Sequence, residues 1–374
     1  MRFSVLLPTR NGGQFLATAL DSILAQSGDF EVIAGDNANE DGTAAILAER
    51  GRDRRLRVVR SDRLLTVTEN WMACLQSARG EYHLMIGDDD LLLPHFFDRA
   101  EAILREHRDP DCLTFDAFSY IAPGSFAEDA PAMWAPRHFD TRRLRPEREL
   151  PPEERQAIVQ DMFRFKVRFP LNMQLTLFSR DAVDSIPGEF FRAPFPDHFA
   201  LNSMLLRARR VVITSERMLV VGVSPKSFGH YFYGGQQAGG VQYLGSAVRF
   251  EGLVDGSELV NSMHAWLLEL QRTYPELAST RVDQWNYAVR QVNYWFRQVE
   301  YGRKPLSWLK AQVRQLRPSQ ALTVLVPVFG YRVIRRVRGR LSGRRATYMS
   351  DAWPALRPTS FATVDSFAAN LQSE

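Results

Sequence analysis

Residues Asp88-Asp89-Asp90 are three consecutive carboxylates placed where an apolar run, Tyr82-His83-Leu84-Met85-Ile86, gives out at Gly87. Acidic groups packed this closely repel one another, and a folded chain tolerates them best when a cation offsets the charge. A hard ion such as Mg²⁺ or Mn²⁺ takes oxygen ligands and is often completed by substrate phosphates, so a metal-bound diphosphate is the implied ligand. The competing reading is an acidic turn whose Asp residues cap a helix beginning near Pro94.

The elements that would position these groups are legible as alternating strands and helices. Phe3-Ser4-Val5-Leu6-Leu7 is an apolar run ended by Pro8-Thr9-Arg10-Asn11, after which Phe15, Leu16, Ala19, Leu20, Ile23 and Leu24 recur at helical spacing. A second unit runs from Phe30-Glu31-Val32-Ile33-Ala34 through Asp36 and the turn up to Thr43 to a helix ending near Arg50. A third joins Arg57-Val58-Val59-Arg60 to a helix over about Thr68 to Ala78. This alternation predicts an α/β fold with a Rossmann-like, mostly parallel sheet flanked by helices, whose ligands lie beyond the carboxyl ends of the strands. Thr9 to Asn11, Asp36 and Asp88 to Asp90 all fall there, on one expected cleft.

These motifs, taken together, resemble the family 2 glycosyltransferases with the glycosyltransferase A-type fold, of the kind that builds bacterial surface glycans. Ser4 to Asn11 is similar to that family's opening strand and nucleoside loop, and Leu20 to Ser27 to its first helix. Asp36 to Thr43 is similar to the acidic turn after its second strand, while Asn70, Ala78 to Tyr82, Asp88 to Asp90 and Pro94 match the approach to its Asp-x-Asp region. The resemblance is close over about the first 110 residues and fades to about residue 235. It implies a divalent cation, Mn²⁺ or Mg²⁺, on Asp89, with Asp90 either a second ligand or a helix cap and Asp88 in a ribose or outer role. It also implies that Pro8, Thr9 and Asn11 line the base pocket and that Asp36 hydrogen-bonds the base or ribose, unless Asp36 only satisfies its own turn. Asp41 is expected to cap the next helix. One departure is Gly87, where many members carry Asp.

Sugar transfer needs a group that takes the acceptor hydroxyl's proton. Phe195-Pro196-Asp197-His198 precedes an apolar helical run and resembles the family's acidic base motif, although Pro196 stands where an acidic residue is usual. Asp197 is therefore the candidate base, with an N-cap as the alternative role, and His198 reads as structural. Further on, the loop after an expected edge strand near Val220 holds Lys226 and His230, either able to meet a diphosphate or simply to sit in a polar loop made movable by Gly234 to Gly240.

The chain has 374 residues, 45% hydrophobic and 24% charged, with no apolar run long enough to span a bilayer. The opening strand reads as core and not as a leader. Cys74 and Cys112 have no metal-ligand spacing and suit a reducing compartment, so a cytoplasmic protein is expected. Net charge is +4, yet Gly302 to Ser350 contains many Arg and Lys and no Asp or Glu. Leu306, Leu309, Val313 and Leu316 share one helical face with Lys310, Arg314 and Arg317 turned away, and Val333, Ile334, Val337 and Leu341 repeat the pattern after Pro327. Such a segment reads as an in-plane anchor on an anionic inner leaflet, against a packed helix or nucleic-acid binding, for which the catalytic motifs leave no role.

The expected organisation is a catalytic domain over 1–235, with a nucleotide-sugar-binding half (1–110) and an acceptor half (111–235), then a helical extension (236–301), a basic amphipathic segment (302–350) and a loose tail (351–374). Trp266, Trp285, Tyr287, Tyr294 and Trp295 in the extension read as core in preference to an acceptor platform. The function expected is a metal-dependent, inverting hexosyltransferase-like enzyme in surface polysaccharide biosynthesis. It would move a sugar from a nucleotide diphosphate sugar, a UDP-sugar foremost, to a glycan or lipid-linked acceptor at the inner membrane. The alternatives are a degenerate membrane-bound scaffold, favoured by Gly87 and Pro196, and a sugar-phosphate nucleotidylyltransferase, for which Gly12-Gly13 is a poor signature.

Overall fold

The computed structural model describes residues 1–125, 130–139, 147–227, 248–341 and 355–371. Its described residues fall into two compact units. One takes in Met1–Val159, Phe169–Gly245 and Leu356–Glu374, the other Gln160–Arg168 and Ser246–Ala355.

The first unit is built on a single 11-stranded sheet. Strands β1 (Phe3–Thr9), β2 (Phe30–Asn37), β3 (Leu56–Ser61) and β4 (Tyr82–Met85) run parallel in the order β3-β2-β1-β4. They alternate with helices α1 (Gly13–Leu24), α2 (Thr43–Arg50) and α3 (Val67–Ser77), the arrangement expected from the sequence. Strand β1 is apolar because it is covered on both faces: Val5, Leu6 and Leu7 are fully buried, each contributing about 1.5–3 kcal/mol. Helix α1 lays Leu16, Ala19, Leu20 and Ile23 on the sheet at the predicted spacing. Helix α3 begins in a capping box, in which Thr66 accepts from the Glu69 amide and Glu69 accepts from the Thr66 amide.

Beyond β4 the sheet becomes mixed. After the two-residue β5 (Leu91–Leu92) and α4 (Phe96–Glu106), strand β6 (Cys112–Ile121) carries on its margin β7 (Met133–Ala135). The short β8 (Arg148–Glu149) and α5 (Pro152–Met162) follow. Strand β9 (Thr176–Ser179) lies antiparallel between β4 and β6. The short α6 (Arg180–Asp184) and α7 (Pro196–Arg207) lead to β10 (Val211–Val223).

Three sequence expectations are corrected here. Strand β10 is not an edge, because it pairs in parallel with β6 on one side and antiparallel with β5 and β8 on the other. Helix α4 starts at Phe96 behind His95, a left-handed residue with φ 62°, so none of Asp88 to Asp90 caps it. The described residues 355–371, expected within a loose tail, are ordered: β11 (Arg357–Pro358) pairs with β7, and α12, Val364–Leu371, packs on the sheet. Phe367 of that helix stacks on Tyr120 with ring centroids 5.5 Å apart, while Tyr120 Oη donates to the Phe361 carbonyl at 2.9 Å.

The second unit is helical. Helices α8 (Glu258–Thr273) and α9 (Gln284–Glu300) enclose Trp266, Tyr287 and Trp295, all buried. Tyr287 Oη donates to Asn261 Oδ1 at 2.6 Å, and Trp295 Nε1 donates to the Asp255 carbonyl at 2.8 Å. These three aromatics are core, as the sequence reading favoured, whereas Trp285, expected with them, is 47% exposed and Tyr294 is half-buried. Helices α10 (Leu306–Val313) and α11 (Pro318–Leu341) follow. Leu309 and Leu316, expected on a membrane-facing surface, are instead buried against Ala288, Val292 and Trp295. Pro327 does not divide the segment, for α11 runs through it. No helix among the described residues is long and apolar enough to cross a membrane.

Candidate active site

Parallel pairing brings the predicted donor-side residues to one sheet end. Thr9 is the register partner of Asp36, and Ile86, which follows β4, donates its amide to the Leu6 carbonyl at 2.9 Å. The chain therefore leaves β4 beside the end of β1, where Thr9 Oγ1 donates to Asp88 Oδ2 at 2.5 Å. The turn after β1 must approach closely. A Cβ on Gly12 would lie 2.3 Å from Asp88 Oδ2 and 2.6 Å from Thr9 Oγ1, so any larger residue would displace that pair of side chains.

The second strand is tied to the same loop. Asp36 is 4% exposed, and its two oxygens accept from Asn39 Nδ2 at 2.6 Å and Arg60 Nε at 2.9 Å. Asn39 Oδ1 in turn accepts from the Asn11 amide at 2.5 Å, and Asn11 Oδ1 accepts from the Glu40 amide at 3.0 Å. Asn11 and Ala38 both hold positive φ, 54° and 48°, conformations that side chains rarely adopt and that this network sustains. Pro8 pairs in register with Gly35 within the same two strands. Asp41 Oδ1 accepts from the Thr43 amide at 2.9 Å just before α2, whose N-cap residue is Gly42 and not Asp41 as expected.

The three consecutive carboxylates do different things. Asp89 Oδ2 accepts from the Ser224 amide at 3.2 Å and from Ser227 Oγ. Asp90 is 1% exposed and has both oxygens on backbone amides, Gly87 at 2.6 Å and Gly222 at 2.9 Å. It is thus a clasp between the acidic loop and β10, a role that neither sequence alternative included. The clasp is tight: a Cβ on Gly222 would come within 1.8 Å of the Asp89 carbonyl oxygen. Burial raises all three carboxyls above the ordinary range; the charge on Asp89 adds to the rise at Asp88 and Asp90, and hydrogen bonds from Thr9, Ser227 and the backbone oppose it.

Asp88 and Asp89 remain partly open while Asp90 is closed. Two neighbouring, partly open carboxylates are a hard-oxygen donor set, the chemistry that suits a divalent cation. Their carboxylates are directed to separate partners. Among the described residues the groups that converge as a potential ligand triad are Glu106, His107 and Glu147, at the opposite end of α4 from the acidic loop.

Ser224 and Ser227 were missed by sequence reasoning. Their signal was faint, two hydroxyls in a loop already singled out for Lys226. Lys226 Nζ donates to the Asn11 carbonyl at 2.9 Å and lies 3.4 Å from Asp41 Oδ2, bridging the loop after β10 to the loop after β1. His230 and the glycines from 234 to 240 lie outside the described residues.

Asp197 stands in the first turn of α7, behind Pro196 at the helix start. Its Oδ1 accepts from the His198 amide at 2.9 Å, while the residue at the N-cap position is Phe195, which makes no side-chain cap. Burial raises the Asp197 carboxyl, and His198 and the nearby amides oppose the rise. Among the described residues no hydrogen bond joins Asp197 to Asp88, Asp89 or Asp90. His198 is buried and stacked on Phe195, 5.1 Å between centroids, the structural role expected of it.

Residues 4–154 match the family model described as Glycosyl transferase family 2. Among curated proteins, Uncharacterized protein MT1568 of Mycobacterium tuberculosis (strain CDC 1551 / Oshkosh) is 34% identical over 108 residues, 29% of this chain and 33% of the relative. The chain thus spans about a third of the length of the curated relative it matches. Among solved structures, S. aureus TarS 1–349 in complex with UDP-GlcNAc superposes with a TM-score of 0.50 at 16% identity, over 84% of this chain and 80% of that one. Mannosyltransferase PcManGT from Pyrobaculum calidifontis, in complex with GDP-Man and Mn²⁺, gives 0.41 at 14% identity, over 99% and 86%.

Proposed function

We propose, from the match of residues 4–154 to the Glycosyl transferase family 2 model and the similar fold, that this protein transfers a sugar from a nucleotide diphosphate sugar to a glycan or lipid-linked acceptor, with inversion at the anomeric carbon. The observation that carries the reading is the junction of Thr9 with Asp88 beside the Asp36 network, at the carboxyl ends of β1, β2 and β4. A ligand is bound at that end of such a sheet.

In this reading Pro8, Thr9 and Asn11 line the base pocket, Asp36 orients the base or ribose, and Asp88 meets the ribose side of the donor. Both Asp36 oxygens already have donors, so Asn39 and Arg60 hold the carboxylate in place for a further contact. Asp89 holds the divalent cation, Mn²⁺ or Mg²⁺, and Asp90, whose oxygens accept from the Gly87 and Gly222 amides, stands behind it as the second metal-side carboxylate. The bound cation would supply charge stabilisation to the departing diphosphate. Lys226, tethered to the Asn11 carbonyl, lies where it can add a second positive charge. Asp197 takes the proton of the acceptor hydroxyl, and its raised pKa suits a base whose conjugate acid must form during the reaction.

A UDP-sugar is the first donor to try, since UDP-GlcNAc occupies the structure of similar fold. The acid-free basic stretch after Gly302 supports a place on the anionic inner leaflet, within surface polysaccharide biosynthesis. A donor-hydrolysis assay with Mn²⁺ tests the catalytic reading against the scaffold alternative. Release of nucleotide diphosphate, accelerated by an acceptor, is expected; a donor panel left intact would favour the scaffold.

A further inference from the structure

Helix α11 has two apolar stripes, and the helical unit needs only one. Val324 and Val328 are buried against Ala288, Val292 and Trp295 of α9. The second stripe, Leu322, Val326, Phe329, Val333 and Val337, repeats at helical spacing and is exposed throughout, Leu322 to 73% and Phe329 to 58%. Beside it, α10 and α11 border an open cleft of about 700 Å³, lined by Phe296, Leu309, Val313, Leu325, Phe329 and Gly330. That volume lies within the range of about 300–1,000 Å³ usual for small-molecule sites.

The charges around the cleft have one sign. Lys310 and Arg314 join its lining, both exposed, in a stretch with no acidic residue from Gly302 to Ser350. Other cations of the unit are used internally: Arg332 pairs with Glu300 and donates to Asn293 Oδ1 at 2.8 Å, and Arg336 lies 3.4 Å from Glu300. Among the described residues no such ion pair engages Lys310 or Arg314. An apolar slot bordered by two uncommitted cations, continuous with an exposed apolar stripe, matches a molecule with a fatty chain and an anionic phosphate.

We propose that the cleft between α10 and α11 holds one acyl chain of an anionic phospholipid, with Lys310 and Arg314 on its phosphate and the outer stripe of α11 lying in the plane of the leaflet. The proposal rests on the membrane-surface reading above and goes further, because it assigns a discrete lipid site where that reading needs only surface attraction. No helix among the described residues spans, so a lipid drawn up into the protein would supplement an in-plane helix whose hold is otherwise shallow.

The test uses the full chain and monomeric lipids below their micelle threshold, followed by titration calorimetry. Lysophosphatidylglycerol should bind saturably at one site per chain, lysophosphatidylcholine at least tenfold more weakly, and glycerophosphoglycerol, the headgroup without a chain, with no saturation. Gly330→Leu fills the cleft from a position where an added Cβ meets nothing within 4 Å, so the variant should fold and lose lysophosphatidylglycerol binding tenfold or more. Lys310→Glu with Arg314→Glu should erase the preference for the anionic lipid. Unchanged binding by Gly330→Leu would overturn the cleft, and an unchanged lipid preference in the double variant would overturn the phosphate contact. A wild-type chain that binds phosphatidylglycerol vesicles but no monomeric lipid would overturn the site while leaving the membrane reading in place; binding neither would remove both. Self-association that Gly330→Leu abolishes would assign the cleft to a second copy instead.

Discussion

Thr9 Oγ1 donates to Asp88 Oδ2 at 2.5 Å, linking the end of β1 to the acidic loop after β4 across 79 residues of sequence. The contact couples the loop after β1 to the carboxylates, because Thr9 is also the register partner of Asp36. Thr9→Val keeps the shape and removes the donor. A hydrogen bond to a carboxylate contributes about 1.5–3 kcal/mol, so nucleotide diphosphate affinity should fall by roughly tenfold or more, read by calorimetry. Unchanged affinity would show that the junction is structural only.

Glycines set the second constraint. Gly222→Ala places a methyl within 1.8 Å of the Asp89 carbonyl oxygen, so the acidic loop must move and the amide held by Asp90 must shift with it. Overpacking of this kind costs about 1–3 kcal/mol. The variant should show a lower urea midpoint and weakened metal-dependent nucleotide binding, whereas Gly42→Ala, where a Cβ meets nothing within 4 Å, should show neither.

Chemistry and binding should separate at Asp197. Asp197→Asn preserves the size of the side chain but cannot take up a proton, so turnover should drop by roughly 10²-fold or more with donor affinity nearly unchanged. Turnover close to that of the parent chain would assign Asp197 to the helix start alone and send the search for the base elsewhere.

Acid stability has its own reporter. His83 on β4 is fully buried, with no hydrogen-bond partner on either ring nitrogen, and burial, with Arg180 nearby, holds its pKa down to about 3. The unfolded chain protonates this group near its ordinary 6.5 while the folded chain does not, so the unfolded state binds more protons between those values. Stability contributed through His83 is therefore intact above pH 6.5 and lost as pH falls toward about 3, by up to about 1.4 kcal/mol per pH unit. In His83→Leu the urea midpoint should decline less between pH 7 and pH 5 than in the parent; equal declines would contradict the assignment.

Much of the first half of the sheet was readable in advance because its information is local. Val5 to Leu7 and Val32 to Ala34 are apolar runs closed by turn residues, and strands covered on both faces have to look that way. The carboxylates of Asp88 to Asp90 were conspicuous for the same reason. Their division of labour was not, since the amide that engages Asp90 belongs to Gly222, 132 residues away, and no pattern within the loop encodes a partner at that range. The return of the chain end was hidden because Arg357–Pro358 and Val364–Leu371 are too short to show a period, and their order comes from Trp134, Tyr120 and Phe118 on the sheet. Pro327 lies inside α11, and Val324 and Val328, on either side of it, are both buried in the cluster with Ala288, Val292 and Trp295 of α9, packing that carries the helix through.

The central claim, that the loop after β4 binds a metal-assisted nucleotide diphosphate, is tested most directly by thermal shift with UDP and GDP, each with and without Mn²⁺, on the parent chain and on Asp89→Ala. At a ligand concentration 100 times the dissociation constant, specific binding stabilises the native state by about 2.7 kcal/mol. The account predicts a clear rise in melting temperature with one nucleotide plus Mn²⁺ in the parent, and loss of the metal-dependent part in an Asp89→Ala protein that still melts cooperatively. The same metal-dependent rise in Asp89→Ala, or no rise with either nucleotide in the parent, would contradict it.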